Sequence, residues 1–116
     1  NPEDKSVFNL ALEMAKESNP DIIFGTDPDC DRIGVVVKDN NGEYKVLTGN
    51  QTGMLLAHYM LKSLSDRNEL PKNSAVIKTI VTTEGVRKIV ESFGAELIDT
   101  LIVIHLSLDL KKVMGI

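Results

Sequence analysis

At 116 residues and 12.8 kDa the chain is sized for one domain or for parts of two neighbouring ones, and it can bury a core without disulfide or metal staples. Hydrophobic residues make up 42% and charged residues 26%, an ordinary soluble composition that excludes a disordered chain. Thirteen Lys and Arg against 17 Asp and Glu give a net charge of −4 with no basic run, which argues against nucleic acid as the main partner.

No apolar run approaches the ~20 residues of a membrane helix, so no membrane partner is expected. Cys30 is the one cysteine, which excludes an intramolecular disulfide and a CxxC site and points to a reducing, cytoplasmic setting. The opening Asn1-Pro2-Glu3-Asp4 has neither an initiating methionine nor a signal peptide, so a start inside a longer protein or after processing is expected.

Asn1 as cap and Pro2 at the first helical position predict a helix whose face is Val7, Leu10, Ala11, Met14 and Ala15, stopped by Ser18-Asn19-Pro20. Ile22-Ile23-Phe24 reads as a buried strand running into Gly25-Thr26-Asp27. Ile33 to Val37 is a second strand, Asp39-Asn40-Asn41-Gly42 a turn with Asn41-Gly42 as the usual hairpin pair, and Tyr44 to Leu47 the returning partner. Thr52 to about Leu64 fits a well-buried helix, and Ser65 to Ser74 a polar loop. Ala75 to Val81 is a strand, Thr83 caps a short helix with Val86, Ile89, Val90 and Phe93 on one face, Gly94 ends it, and Ala95 to Ile98 starts another strand. The alternation predicts an α/β fold with a mixed, largely parallel sheet, flanking helices and at least one antiparallel hairpin.

The informative stretch is Gly25-Thr26-Asp27-Pro28-Asp29-Cys30-Asp31-Arg32. In extended backbone, residues two apart point the same way, so Asp27, Asp29 and Asp31 converge. Like charges held together repel unless a cation sits among them, and a hard divalent ion with oxygen ligands, Mg²⁺ above all, meets that need. The competing reading is an acidic turn splayed into water. Arg32 adds a planar donor suited to phosphate, and strand-end loops of α/β folds are where ligands bind. An EF-hand loop from Asp27 fails, because Arg32 and Lys38 stand where Gly and Glu are required. An aspartyl-phosphate phosphatase would also put acidic residues after an apolar strand, but its DxDx[TV] pattern has Thr or Val where this chain has Asp31.

The segment from Ile23 to Val37, with its DPDCDR core, resembles the metal loop of the α-D-phosphohexomutases, the phosphoglucomutase and phosphomannomutase family. The resemblance continues through Leu47-Thr48-Gly49-Asn50-Gln51-Thr52-Gly53, which is similar to the opening of that family's third domain, and through Ile77–Thr83 to Thr100. It leans toward the phosphoglucomutase and phosphopentomutase branch. It implies an isomerase of carbohydrate metabolism that moves a phosphoryl group between an active-site phosphoserine and a hexose or pentose phosphate, through a bisphosphate intermediate. It further implies Asp27, Asp29 and Asp31 as Mg²⁺ ligands and Arg32 as a catalytic contact to the reacting phosphate.

On that map residues 1–40 end the metal-binding second domain, residues 41–100 begin the sugar-recognition third domain, and residues 101–116 diverge. Neither His58 nor His105 follows a serine, so the family's Ser-His context is missing and the chain alone is expected to be inactive. Codons permitted for Ile102–Gly115, read in a shifted frame, can spell the family's FGFEESYG, so a frameshifted tail is expected, with an ordinary divergent strand as the alternative.

Further expectations are a small buried Cys30, a packed or surface His58, a Lys78 that faces the cleft or, as the commoner outcome for lysine, is solvated, and a homodimer through exposed surfaces. Two other functions compete: a free-standing Mg²⁺-binding or interaction module without turnover, and the phosphatase.

Overall fold

The computed structural model describes Pro2 and residues 4–101, so the expected cap Asn1 and the tail from Ile102 lie outside the described residues. The chain forms two compact units, dividing between Thr52 and Gly53.

In the first unit Asp4 caps a 3-10 turn, Lys5–Phe8, by accepting the Ser6 N–H at 2.9 Å, and α1 follows over Asn9–Ser18. Asn19 ends α1 in the left-handed conformation with φ +49. The sheet comprises β1 (Ile22–Thr26), β2 (Ile33–Lys38) and β3 (Tyr44–Leu47), in the order β1-β2-β3 with both pairings antiparallel. Gly25 pairs with Gly34 across β1 and β2, and the Phe8 ring lies against this flat spot. A Cβ on Gly25 would stand 3.0 Å from the ring, so both glycines are bare because an aromatic side chain needs their space. Phe8, Ala15, Val35 and Val36 are buried.

The helix face expected from the sequence is not the buried one. Val7, Leu10 and Met14 are exposed, and of the five residues only Ala15 is buried. The anchor is Phe8, which the 3-10 turn swings onto the sheet. The hairpin turns at Asp39–Gly42 as expected and differs only in how the turn is built. Gly42, at φ +82, takes the left-handed position and donates to the Asp39 carbonyl at 3.0 Å, while the Asp39 carboxylate accepts the N–H groups of Asn41 and Glu43. This is a longer Asp-anchored loop rather than a two-residue Asn-Gly turn.

Helix α2 (Gly49–Asp66) starts earlier than expected because Thr48 and Gln51 form a capping box. The Thr48 hydroxyl accepts the Gln51 N–H at 3.2 Å, and the Gln51 side chain accepts the Thr48 N–H at 2.9 Å. The helix is not well buried: Leu55, Leu56, Tyr59 and Met60 are exposed, and Leu61 is its buried residue.

The second unit pairs β4 (Ala75–Thr79) with β5 (Glu96–Thr100) in parallel, joined through α3 (Gly85–Ser92). Leu61, Val86, Val90 and Ala95 form its core, with Met54, Val76, Phe93 and Leu97 packed around it. Thr83 accepts the Gly85 N–H at 3.1 Å, and Gly94 closes the helix at φ +72. The α/β class is as the sequence indicates. Its strands divide into an antiparallel and a parallel sheet, where one largely parallel sheet was expected.

Phe8→Ala should cost about 3–5 kcal/mol in urea unfolding, the usual result of emptying a buried aromatic site. Gly25→Ala should cost about 1–3 kcal/mol by crowding the same ring.

Candidate metal centre

Strand β1 delivers Asp27 to its C-terminal end and β2 begins just after Arg32, so the acidic stretch is the loop closing that pair. Three carboxylate oxygens, one each from Asp27, Asp29 and Asp31, lie within 4.8 Å of one another. They converge as the sequence suggests, but through a turn rather than extended backbone. The Cys30 N–H donates to the Asp27 carbonyl at 3.0 Å, and Cys30 adopts φ +58, a region that favours glycine.

The three are unequal. Asp27 is buried, whereas Asp29 and Asp31 are exposed. Arg32 holds Asp27 from two directions: its backbone N–H donates to Oδ1 at 3.2 Å and its Nε to Oδ2 at 2.7 Å. Burial pushes the Asp27 carboxyl up, but the Arg32 side-chain and backbone bonds outweigh it and bring the group down to about 2. The Arg32 side chain is 60% exposed, and its bond to Asp27 is made through Nε. Asp27 thus orients Arg32 through one of its five guanidinium N–H donors.

A hard cation fits this donor set. The ligands are all oxygen, Asp27 is ionised at any physiological pH, and Asp29 and Asp31 are exposed, so no packing fixes them against a small adjustment. Cys30 is exposed rather than a buried filler, with its sulfur 3.7 Å from the Thr26 hydroxyl. The tight turn leaves it no interior to enter.

The second unit holds a charged cluster that sequence reasoning passed over. Lys78, whose commoner expected place was solvent, is only 6% exposed. Its ammonium pairs with Asp99 at 2.5 Å and Glu84 at 2.8 Å and donates to the Thr82 carbonyl at 3.2 Å. Arg87 joins the same two carboxylates, at 2.8 Å to Glu84 and 2.9 Å to Asp99. Bonding to Asp99 first and Glu84 second raises the Lys78 pKa, and the Lys78 bond lowers both carboxylates. The signal lay in the strand pairing, since Lys78 and Asp99 are direct partners in the β4–β5 register. Lys78 also borders a cavity of about 320 Å³ that Thr79 and Thr82 help to line. His58 is exposed and meets the Phe93 ring edge-on at 5.8 Å.

Comparison with known proteins places this loop in a family. Residues 1–42 match the phosphoglucomutase/phosphomannomutase α/β/α domain II, and residues 48–102 match α/β/α domain III of the same enzymes. The chain belongs to the phosphoglucomutase/phosphomannomutase family. It is 38% identical over 84 residues to a phosphoglucomutase of Staphylococcus haemolyticus, an alignment covering 72% of this chain and 15% of that protein. A Staphylococcus aureus phosphoglucomutase is 37% identical over the same length, with 72% of this chain and 14% of the relative covered. The chain therefore spans about one-seventh of the curated phosphoglucomutases it matches. The apo crystal structure of an N-acetylglucosamine-phosphate mutase, an α-D-phosphohexomutase, shares the fold at a TM-score of 0.51 and 18% identity, covering 78% of this chain and 22% of that one. Among the described residues no helix is long and apolar enough to cross a membrane.

Two predictions follow from the charges of this phosphohexomutase segment. The depressed Asp27 pKa contributes stability that is fully present above the ordinary carboxylate range near ~4 and is lost as pH falls toward about 2. Urea midpoints measured from pH 5 to pH 2 should fall less steeply for Asp27→Asn than for the unaltered chain. In the second unit Lys78→Met should lower the midpoint at pH 7, because Glu84 and Asp99 lose their shared cation. The raised Lys78 pKa means this contribution is fully present below the ordinary lysine range and is lost as pH rises beyond that range through the raised folded value.

Proposed function

We propose that the chain is a segment of a phosphosugar mutase, an enzyme interconverting a sugar 1-phosphate with its 6- or 5-phosphate, and that it carries the Mg²⁺ loop of that enzyme. The observation that supports this most directly is the meeting of three carboxylates within 4.8 Å on a strand-end loop of a chain in this family. In this reading Asp27, Asp29 and Asp31 hold the ion, and residues 1–40 and 41–100 are the adjoining parts of the metal-binding and sugar-recognition domains. Mg²⁺ bound there supplies the positive charge that offsets developing negative charge on a transferring phosphoryl group. Asp27 keeps one ligand fixed and ionised, and its bond to Nε aims the Arg32 guanidinium. Arg32 turns its remaining donors to the phosphate, where a planar fork matches two oxygens at once. The phosphoryl-accepting serine and the remaining phosphate contacts belong to other parts of the enzyme, so the segment alone does not turn over.

Calorimetry with Mg²⁺ tests the site. Weak binding is expected, falling about tenfold further in Asp29→Asn, and binding unchanged by that substitution would sink the assignment. An assay with glucose 1-phosphate, glucose 1,6-bisphosphate and Mg²⁺ should show no mutase turnover. Asp27-dependent phosphate release would favour the phosphatase instead.

A further inference from the structure

The loop between β2 and β3 holds a residue pair with a chemistry of its own. Of the chain's eight asparagines, Asn41 alone is followed by glycine. Asn41 and Gly42 are both exposed, and a Cβ built on Gly42 would meet no atom within 4 Å. Asn41 donates its backbone N–H to the Asp39 carboxylate at 2.9 Å, a bond in which its carboxamide takes no part.

An asparagine carboxamide can be attacked by the backbone nitrogen of the residue that follows it. Here the Gly42 nitrogen forms a bond to Asn41 Cγ, and the Cγ–Nδ2 bond breaks. The Gly42 proton leaves with Nδ2 as ammonia, and a cyclic imide remains. Water then opens the imide. Cleavage at Cγ gives aspartate, and cleavage at the main-chain carbonyl gives isoaspartate, whose backbone runs through the side chain. Glycine favours the attack because no Cβ crowds its nitrogen. The other asparagines lack this partner. Asn1 and Asn19 precede prolines, which have no N–H, and Asn9 and Asn50 are held in α1 and α2. Asn40, Asn68 and Asn73 precede residues that carry a Cβ.

We infer that Asn41 is a spontaneous modification site, converted by water to aspartate and isoaspartate, and that the Asp39-anchored turn restrains the conversion. The Gly42 N–H must leave the Asp39 carbonyl, its acceptor at 3.0 Å, before its nitrogen attacks. The Asp39 carboxylate accepts the N–H groups of Asn41 and Glu43, so it holds the turn in the shape that keeps this bond. Conversion sets a new carboxylate beside Asp39 and Glu43, with which Lys45 already pairs. The isoaspartate form also adds a methylene to the main chain of a loop whose ends, Lys38 and Tyr44, are strand partners. The modified residue lies at the end of the domain II match, just before the domain III match begins at residue 48. The change therefore falls on the link between the two.

The test is a timed incubation of the chain in warm neutral buffer, followed by trypsin and mass spectrometry. Trypsin cuts after Lys38 and Lys45 and after Lys72 and Lys78, releasing Asp39–Lys45 with both Asn40 and Asn41, and Asn73–Lys78. Fragment ions should place an exchange of NH for O on Asn41, in two forms of equal mass. The rate there should exceed that at Asn40 and Asn73 by about tenfold. An isoaspartyl carboxyl methyltransferase should label one of the two forms. The free peptide Asp39–Lys45 and the Asp39→Ala chain should both convert about fivefold faster than the unaltered chain, the effect of losing one ordinary hydrogen bond. Asp39→Asn keeps an acceptor oxygen and should stay close to the unaltered rate. Conversion at Asn41 no faster than at Asn40 or Asn73 overturns the site. A chain that converts as fast as the free peptide overturns the restraint, whether or not Asp39→Ala folds.

Discussion

The Asp27–Arg32 pair is the interaction on which the acidic loop depends. A buried carboxylate would ordinarily take up a proton or be pushed out into water. Here Arg32 meets it with a backbone donor and a side-chain donor at once, so Asp27 stays buried, charged and fixed. Because Arg32 immediately precedes β2, the same pair closes the loop mechanically. Asp29 and Asp31 have no comparable anchor. They are placed by the turn between Asp27 and Cys30, and their approach to Asp27 follows from where that turn is pinned.

The second unit solves a similar problem with four groups. Lys78 enters the interior of a strand, where a lone ammonium would be costly, and meets carboxylates from α3's N-terminal approach and from β5. Arg87 then balances the pair of acids, leaving two positive and two negative groups. The cluster ties β4, β5 and α3 together at one end of the parallel sheet, the end where α/β folds gather ligand-binding groups. Any anion arriving there must compete with Glu84 and Asp99 for Lys78.

Much of this was legible in the sequence for local reasons. Apolar runs bounded by Asn19-Pro20, Asn41-Gly42 and Gly94 place the strands and helices, and the alternating aspartates mark the loop. Burial was less legible, since it depends on what covers a residue. Leu55, Leu56, Tyr59 and Met60 have the side chains of a core helix yet face outward, and Phe8, outside the anticipated apolar stripe, is the true anchor. Lys78 is missed for the complementary reason: its partner Asp99 arrives only after a helix and a second strand have returned the chain. The convergence of Asp27, Asp29 and Asp31 was anticipated while the backbone shape producing it was not, because the left-handed conformation of Cys30 has no signature in a cysteine.

That left-handed residue has a consequence for how the loop can be observed. The chain's one thiol stands in solvent, on the same turn as the clustered carboxylates and between two of them. An anionic thiol reagent approaching it climbs the electrostatic potential of the loop, and a neutral one of the same size does not. The ratio of their reaction rates is therefore a gauge of the charge gathered around the turn. Neutralising that charge would draw the two rates together, so the loop carries a built-in reporter of its own electrostatics.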